Sequence, residues 1–516
     1  MKVYRRYLYK LSGMIVVLIS LLIACMIVVD PYAIWRVYHK QGVNMFSAHA
    51  VNFERVSKPI EVMRMQPNTV FVGSSRVKFA LRPEYYNALT GKSNTYNLGV
   101  NGANIYEIRR MVEHAVLNSS DLDTIILGVD FFMFNDKWGN QLGFDDGQLS
   151  KKYFSKRNFL ATTFSLAAFE SMIDTLVDNE KKQYTYDSRD ENGRGTDGQA
   201  AYYFGWGNLV DLRGFCDSAK MFVNEPGLYR EHDLPLWYMD NLRQIVRICN
   251  EHHIKLIMYI SPLHAMQAEA ISVAGKWSVY EQWKRELVDI GEFYDFSAFN
   301  EITAEPFSVD RKYYWDSSHY TTSVGDIILE RILGQRSADG IFGEIINKNN
   351  IEQHLLDVRQ EQANWRLNHA DLVEYARFFR GFTEKVPEIL LNKEVLQNKI
   401  RVVTEFQRND GTIKFDKNNK LSCAGWAINN ENLLIEHIIV ALRRADGKSY
   451  FQFAMKQSSP EIADLFANEN DKDSGFKISD FIYDVESGVY DMEIIEIDSV
   501  GRVYTSGLLN VQIIIE

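Results

Sequence analysis

Three side chains of this sequence have the types that nucleophilic catalysis at a serine requires. Ser75 follows an apolar run in NTVFVGSS, and Asp316 and His319 stand three residues apart in YYWDSSHY. A serine attacks only when a base takes its proton. Histidine suits that task, and a carboxylate on its second ring nitrogen fixes the tautomer and stabilises the charged ring. The pattern therefore predicts a Ser75–His319–Asp316 triad, with an ordinary strand-to-helix turn at Gly-Ser-Ser as the alternative.

Such a triad needs elements that bring distant parts of the chain together, and the hydrophobic pattern predicts them. From residue 68, short apolar strands alternate with amphipathic helices, which is typical of a parallel sheet covered by helices on both faces. The predicted strands are 69–75, 95–102, 124–132, 254–262 and 292–297, and the predicted helices lie near 105–115, 236–252, 275–290 and 322–334.

The carboxyl ends of these strands collect the residues that could do chemistry. Ser75 ends the first strand, Gly99 and Gly102 end the second, Asp130 ends the third, and the loop 316–319 follows the fifth. Ligands of open parallel sheets bind at that edge. We therefore expect one site there.

Residues about 137–233 interrupt the alternation. They are polar, aromatic and rich in glycine, and we interpret them as a helical and loop insertion that forms a lid or a substrate rim. The insertion contains the aromatic run Tyr202, Tyr203, Phe204 and Trp206. We interpret this run as packing, with sugar stacking as the alternative.

The rest of the chain divides by the period of its pattern. We predict a tail and anchor at 1–30, a juxtamembrane segment at 31–67, the α/β domain at 68–340 and a polar helical connector at 341–400. From 401 to 516 the period becomes two, which predicts an antiparallel β-sandwich.

The N-terminus predicts a membrane anchor. Four basic residues lie within MKVYRRYLYK, and Leu11–Val29 carries no charge, which is about the length that a helix needs to cross a bilayer. No small-residue cleavage pattern follows, so we interpret the segment as an uncleaved signal anchor. The basic flank predicts a single pass with the N-terminus in the cytoplasm and the bulk of the chain extracytoplasmic, in the periplasm or at the cell surface.

Composition excludes several classes of function. The chain has 516 residues and a net charge of −11, which argues against a nucleic-acid surface. Its four cysteines include no CxxC pair and predict neither a disulfide framework nor a metal site. Serine-dependent acyl chemistry needs no metal or diffusible cofactor, and we predict none.

The motifs together resemble the SGNH (GDSL-like) hydrolase family. Gly73-Ser74-Ser75 is similar to its first block, NLGVNGAN to its second and DSSH to its Asp-x-x-His block, over residues about 68–334. The resemblance implies a flavodoxin-like three-layer fold with Ser75 as nucleophile, Asp316 and His319 as its partners, and the Ser75 and Gly102 amides as oxyanion donors.

Two positions depart from the family pattern. Ser74 replaces the usual aspartate, and Asp130 stands where an asparagine usually donates to the oxyanion. An ionised carboxylate cannot donate, so either Asn101 or Asn104 replaces that donor or the two amides act alone. Asp130 and Asn104 could instead bind substrate. His264, after the fourth strand, either contacts substrate or caps a helix.

The anchor makes the layout similar to membrane-anchored members that modify envelope polymers, such as teichoic-acid D-alanylation and alginate or peptidoglycan O-acetylation proteins. The resemblance implies an acyl (acetyl) esterase or O-acyltransferase acting on an envelope polysaccharide, beside a membrane-bound acyltransferase. The alternative is an inactive SGNH-fold scaffold that binds glycan. The C-terminal domain, with Trp426, is either a glycan-binding or a structural module.

Overall fold

The computed structural model of the chain describes residues 2–181, 189–204, 212–297, 299–308, 311–335, 342–384, 386–387, 390, 395–397, 400–404, 412–416, 420–429, 435–457, 474–482, 484–498 and 500–516. The described chain divides into two compact units, Met1–Trp365 and Arg366–Glu516. The first is a mixed α/β unit that begins with an apolar helix, and the second is rich in β-strands.

The helices are, in chain order, α1 (Lys2–Val29), α2 (Glu54–Met65), α3 (Ser75–Ala80), α4 (Pro83–Thr90), α5 (Ile105–Asn118), α6 (Asp146–Leu149), α7 (Lys156–Thr163), α8 (Leu166–Lys181), α9 (Asp197–Tyr203), α10 (Leu212–Asn224), α11 (Asp240–Glu251), α12 (Ala265–Val273), α13 (Trp277–Ile290), α14 (Thr322–Ile332), α15 (Ile351–Asn368) and α16 (Ala370–Ala376). Short 3₁₀ helices lie at Ala48–Phe53, Phe131–Phe134, Leu236–Met239 and Arg377–Arg380.

The strands are β1 (Thr69–Val72), β2 (Thr95–Asn97), β3 (Thr124–Val129), β4 (Lys255–Ile260), β5 (Phe293–Asp295), β6 (Glu344–Ile346), β7 (Val395–Gln397), β8 (Ile400–Thr404), β9 (Thr412–Phe415), β10 (Lys420–Asn429), β11 (Ile435–Arg444), β12 (Ser449–Phe453), β13 (Met455–Gln457), β14 (Gly475–Phe481), β15 (Gly488–Asp498) and β16 (Val503–Ile515).

The sheet of the first unit has the order β2-β1-β3-β4-β5-β6. Its first five strands pair in parallel, as the alternating pattern predicts, in the 2-1-3-4-5 order of one common doubly wound sheet. Strands β1 and β3 are buried along their whole length, because helices cover both faces of such a sheet. The apolar side chains of these two strands therefore form the buried core next to the strand ends that Ser75 and Asp130 follow.

The sixth strand is a correction to the sequence prediction. Strand β6 pairs antiparallel with β5 at the edge of the sheet, within a region that we had predicted to be a helical connector. Its three residues include two exposed positions, so the segment lacks the continuous apolar run that marked the buried strands.

The second unit consists of two sheets around one core. One sheet has the order β13-β14-β10-β8, and the other the order β12-β11-β15-β16-β7 with β9 also paired to β16. Buried side chains of both sheets share this core, among them Cys423 and Phe476 from the first sheet and Val440 and Ile494 from the second. This arrangement is a sandwich, but it is not wholly antiparallel as predicted, because β7 and β9 pair in parallel with β16.

One helix of the described residues, α1, is by itself long and apolar enough to cross a membrane by length and composition. Helices α7 and α8 pass the same test only as a pair, and they meet at a bend of 47°. Most side chains of α1 from Tyr4 to Leu21 are exposed. Helix α1 thus fits the predicted anchor segment in extent and character.

Candidate active site

Ser75 is set apart from its neighbours by its exposure. Every residue from Thr69 to Leu81 is buried except Ser75, which is half-buried. It lies at the first position of α3, directly after β1, and Ser74 caps the helix by accepting the Arg76 amide hydrogen at 3.2 Å. The chain therefore presents one hydroxyl from an otherwise buried strand–helix junction.

Gly73 makes this junction possible. A Cβ atom at Gly73 would lie 2.3 Å from Val77 Cγ2 and 2.9 Å from the carbonyl oxygen of Gly128. Contacts this short do not occur in folded proteins, so a side chain at this position would push α3 away from β3. The Gly-Ser-Ser sequence is thus required by packing as well as by turn chemistry.

The three residues of the predicted triad form a continuous chain of hydrogen bonds. Ser75 Oγ lies 2.9 Å from His319 Nε2, and His319 Nδ1 lies 2.9 Å and 3.0 Å from the two carboxylate oxygens of Asp316. A carboxylate on Nδ1 assigns the proton to that nitrogen, which leaves Nε2 free to accept the serine proton. The sheet topology brings these residues together across a separation of 244 positions.

The loop that carries Asp316 and His319 is held by its own backbone. Tyr314 and Tyr320 form an isolated β-bridge, and the Trp315 amide donates to the His319 carbonyl at 2.8 Å. The Asp316 carboxylate also accepts the backbone amide of His319 at 2.7 Å. Aspartate commonly closes such turns by accepting amides two and three residues on, so the Asp-x-x-His spacing fixes the loop as well as the triad.

The electrostatics of Asp316 favour its charged form. Burial alone would raise the pKa of this carboxyl, but the charge and hydrogen bond of His319 outweigh it and hold the pKa below its ordinary value. Ser218 of α10 contributes a further hydrogen bond, from its hydroxyl to Asp316 Oδ2 at 2.7 Å. Asp316 can therefore stabilise a positively charged imidazole.

The two backbone amides that the sequence predicts as oxyanion donors, those of Ser75 and Gly102, have no acceptor among the described residues. The loop that carries Gly102 is joined to the end of β1, because the Val100 amide donates to the Gly73 carbonyl at 3.0 Å. Gly102 has a φ of +60°, a left-handed conformation that favours glycine, and its carbonyl accepts Trp138 Nε1 at 2.7 Å.

Asp130 is buried behind the triad, where it pairs with Arg76. Arg76 Nη1 lies 2.7 Å from Asp130 Oδ1, the Ser74 hydroxyl donates to Asp130 Oδ2 at 2.6 Å, and both members of the ion pair are at most 2% exposed. Arg76 also donates to the carbonyl and the hydroxyl of Ser318 at 3.0 Å and 2.9 Å. The carboxylate is thus neutralised by a guanidinium that also holds the loop beside His319. A contact with substrate would require these bonds to break.

The two asparagines that could replace the oxyanion donor differ. Asn104 caps α5 by accepting the Glu107 amide at 2.8 Å, and its amide nitrogen donates to the Trp138 carbonyl at 2.9 Å and to Asn140 at 3.1 Å. Asn101 is half-buried, and within the described residues its Oδ1 is buried without a hydrogen-bond partner. Of the two side chains, that of Asn101 makes fewer hydrogen bonds within the described residues.

His264 occupies the helix-capping position named as the alternative to substrate contact. Its Nδ1 accepts the Met266 amide at 3.2 Å at the start of α12, and its Nε2 lies 2.8 Å from the Glu305 carbonyl. The ring is buried, with aromatic neighbours in Phe215 and Tyr314. Both ring nitrogens therefore already have partners within the protein.

Two side chains of the insertion contact the predicted triad, and the sequence did not identify either contact. Phe204, which follows α9, stacks on the His319 ring with centroids 3.9 Å apart, and Ser218 of α10 binds Asp316. Tyr202 and Tyr203 are exposed on α9, whereas Trp206 lies outside the described residues. The aromatic run draws attention to Phe204, but nothing in the sequence links Ser218 to Asp316, which lies 98 positions away.

A buried ionic cluster on α2 holds the Gly102 loop from the other side. Lys58 Nζ donates to the carbonyl of Asn97 at 3.0 Å and to that of Gly99, and Glu54 accepts the Asn101 amide at 2.6 Å. Burial lowers the pKa of Lys58 well below its ordinary value, although Glu54 opposes this shift. These side chains position the loop from a helix that the sequence marked only as juxtamembrane.

No group of three or more His, Cys, Asp or Glu side chains in the described ranges could hold a metal ion. No protein-family model matches the chain, and no curated protein matches it. Among solved structures, the endo-beta-1,4-mannanase from Thermotoga petrophila is similar over 80% of this chain and 97% of that chain, at 10% sequence identity and a TM-score of 0.15. A likeness at that level carries no argument about fold or function.

Proposed function

We propose that the chain is a membrane-anchored serine-dependent acyl (acetyl) esterase or O-acyltransferase that acts outside the cytoplasm on a cell-envelope polysaccharide. The observation that carries the proposal is the hydrogen-bonded chain Ser75–His319–Asp316, in which both bonds are 2.9 Å long at their shortest. Its support is geometric: a nucleophile, a base and an orienting carboxylate in reach of one another.

The proposed reaction has two halves. Ser75 Oγ attacks the acyl carbonyl while His319 Nε2 takes its proton, and the tetrahedral oxyanion accepts hydrogen bonds from the Ser75 and Gly102 amides. The His319 proton then passes to the departing alkoxide, which leaves an acyl group on Ser75. In the second half, His319 takes a proton from water or from a sugar hydroxyl, which attacks the acyl carbon. The bond between the acyl carbon and Ser75 Oγ then breaks, and the His319 proton returns to Ser75 Oγ. Water gives hydrolysis and a sugar hydroxyl gives transfer.

Two features support a location at the cell envelope and a polysaccharide as the substrate. Helix α1 has the length and composition of a membrane span, and its basic flank favours a cytoplasmic N-terminus. Beside His319, helix α9 exposes the rings of Tyr202 and Tyr203, which are 61% and 50% exposed. Exposed tyrosines on the helix that leads into Phe204, which stacks on His319, suit the apolar faces of sugars.

Covalent labelling tests the proposal. The full chain in detergent is treated with a fluorophosphonate, and the adduct is located by peptide mass spectrometry. We expect the adduct on Ser75, and its rate of formation to fall by on the order of 10⁴-fold in His319→Ala. His252→Ala is the matched control, because His252 is exposed on the same unit. Incubation with O-acetylated polysaccharide then separates released acetate from acetyl groups moved to an added acceptor glycan.

The inactive scaffold predicts a different result. A folded chain that forms no adduct on Ser75, or that forms it equally fast in His319→Ala, would refute the catalytic role. Envelope acylation that persists in Ser75→Ala cells but disappears when the gene is deleted would point to the scaffold instead.

A further inference from the structure

Helices α7 and α8 meet in an apolar bend that the proposed reaction does not use. We call residues 159–169, with the sequence FLATTFSLAAF, the elbow; it contains no charged residue. Four of its large apolar side chains are exposed, namely Leu160, Phe164, Leu166 and Phe169, and Leu166 is 75% exposed. An exposed apolar cluster of this kind marks a surface that contacts a membrane or another protein.

The elbow lies against the last turns of α1. Ala168 and Met172 pack in one cluster with Met26 and Val29, and Tyr32 Oη donates to Ser171 Oγ at 3.1 Å. A groove of about 280 Å³ separates the two elements, and its lining is Leu22, Met26, Thr163, Phe164, Ser165, Leu166 and Phe169. The exposed apolar surface of the elbow is therefore continuous with that of α1.

The contact with α1 fixes the depth of the elbow. Leu22 precedes Val29, the last residue of α1, by seven positions, which is about 10 Å along a helix axis. When α1 spans the bilayer, a side chain level with Leu22 lies among the lipid acyl chains. Membrane-surface helices bury their apolar faces by about 5–10 Å, which agrees with this depth.

Both ends of the elbow return to the same unit. Beyond its C-terminal end, Asn179 of α8 accepts the Phe46 amide at 3.0 Å and donates to the Phe46 carbonyl at 2.8 Å. Before its N-terminal end, the Ser155 amide donates to Gln148 at 2.7 Å, and the carbonyl of the neighbouring Leu149 lies 2.9 Å from His114 Nδ1 of α5. A segment held at both ends by the α/β unit enters and leaves the bilayer on one side, so α7 and α8 do not form a second span.

We propose that the elbow is a re-entrant membrane contact, seated in the leaflet next to the α/β unit, whose groove takes phospholipid acyl chains. Together with α1 it gives the unit two attachment points, which restrict rotation about the anchor and hold the site at one height above the membrane. This inference rests on the membrane anchoring in the proposed function, and it is independent of the chemistry at Ser75.

Depth-dependent quenching tests the inference on the full chain in lipid nanodiscs. In a Cys25→Ser background, which removes the exposed native thiol, single cysteines at Leu166, Val17 and Ile345 carry an environment-sensitive fluorophore. Val17 reports the anchor. Ile345 is the matched control, an exposed apolar residue on β6 at the sheet edge opposite β2. Phe169→Cys repeats the elbow measurement if Leu166→Cys fails to fold.

We expect nitroxide on the lipid acyl chains to quench the Leu166 label as strongly as the Val17 label, and nitroxide on the headgroup to quench it less. The Ile345 label should keep its fluorescence. Quenching at Val17 without quenching at Leu166 and Phe169 would overturn the inference and leave the anchor in place. A second copy of the chain that covered the elbow would give this same result, because it would keep the label away from the lipid. Absence of quenching at Val17 would overturn the anchoring itself, and equal quenching at Ile345 would overturn the elbow as a specific contact.

Discussion

The pairing of Asp130 with Arg76 makes a prediction that separates two roles for this carboxylate. As an unpaired charge near the oxyanion it would slow the reaction, whereas as the partner of Arg76 it stabilises the site. The two side chains are 1% and 2% exposed and 2.7 Å apart. Burial alone would lower the pKa of Arg76, but the Asp130 charge raises it above its ordinary value, so the guanidinium keeps its charge.

The expected cost of breaking the pair follows from this burial. Asp130→Asn leaves a buried guanidinium without a counter-ion, and Arg76→Met leaves a buried carboxylate whose remaining donor is the Ser74 hydroxyl. Removal of one member of a buried ion pair costs about 3–5 kcal/mol. The double variant should lose less than the sum of the two single variants, because neither charge is then left alone. Arg82→Met is the matched control: Arg82 pairs with Asp326, but it is 33% exposed, so we expect a loss of about 1 kcal/mol or less.

Pulse proteolysis in urea measures these losses on the full chain, with peptides from residues 69–130 as the reporters of the α/β unit. The fluorophosphonate labelling rate of Ser75 is measured on the same variants. We expect labelling in Asp130→Asn to be slower than in the wild type, because Arg76 also holds Ser318 beside His319. Faster labelling in Asp130→Asn, or two single losses that simply add, would refute the structural role of the pair.

Two further changes test contacts of the site, and a third tests His232, whose Nε2 lies 2.8 Å from the carbonyl of Phe131, the residue after Asp130. Lys58→Met should leave the buried carbonyls of Asn97 and Gly99 without this donor, which lowers the free energy of unfolding by about 1–3 kcal/mol for each carbonyl. The labelling of Ser75 should also become slower. Urea unfolding and labelling rates check these two effects. Ser218→Ala removes a donor that lowers the pKa of Asp316, so that pKa should rise towards its ordinary value and wild type should lose more unfolding free energy than Ser218→Ala as the pH falls below 3.8; urea unfolding at a series of pH values checks this. Burial lowers the pKa of His232 from 6.5 to about 4, so its neutral ring stabilises the fold above pH 6.5 and that stability is lost as the pH falls towards 4. Unfolding free energies should show wild type losing about 3 kcal/mol more than His232→Gln over this interval, and equal slopes would contradict the assignment.

The parts of the fold that the sequence predicted are those with strong local signals. The runs VFV and IILGV are continuous and apolar because β1 and β3 are buried on both faces, and period and flanking turns are enough to find them. Ser75 follows β1 closely and the loop 316–319 comes after β5, the last parallel strand, so the order of strands already brings them to one edge. Strand β6 has no comparable signal, since its short sequence is partly exposed.

The parts that could not be predicted depend on pairings across long separations. Arg76 adjoins Ser75 in sequence, yet its partners Asp130 and Ser318 lie 54 and 242 positions away. The sequence of α2 contains five charged residues and would ordinarily be assigned to a solvated helix. Glu54 and Lys58 are nevertheless buried, because other charges and backbone carbonyls of the unit satisfy them.

The same contacts join α1, the proposed membrane anchor, to the candidate active site through α2. Asp30 turns the chain at the end of α1, since its carboxylate accepts three backbone amides, that of Arg36 among them at 2.7 Å. Arg36 then pairs with Glu61 of α2 at 3.3 Å, and three residues before Glu61 on the same helix Lys58 binds the loop that carries Gly102. Asp30, at the end of α1, is therefore connected through Arg36 to the loop that carries Gly102 by one ion pair and one turn of helix. The segment 31–67 therefore forms a structural link between α1 and the loop that carries Gly102.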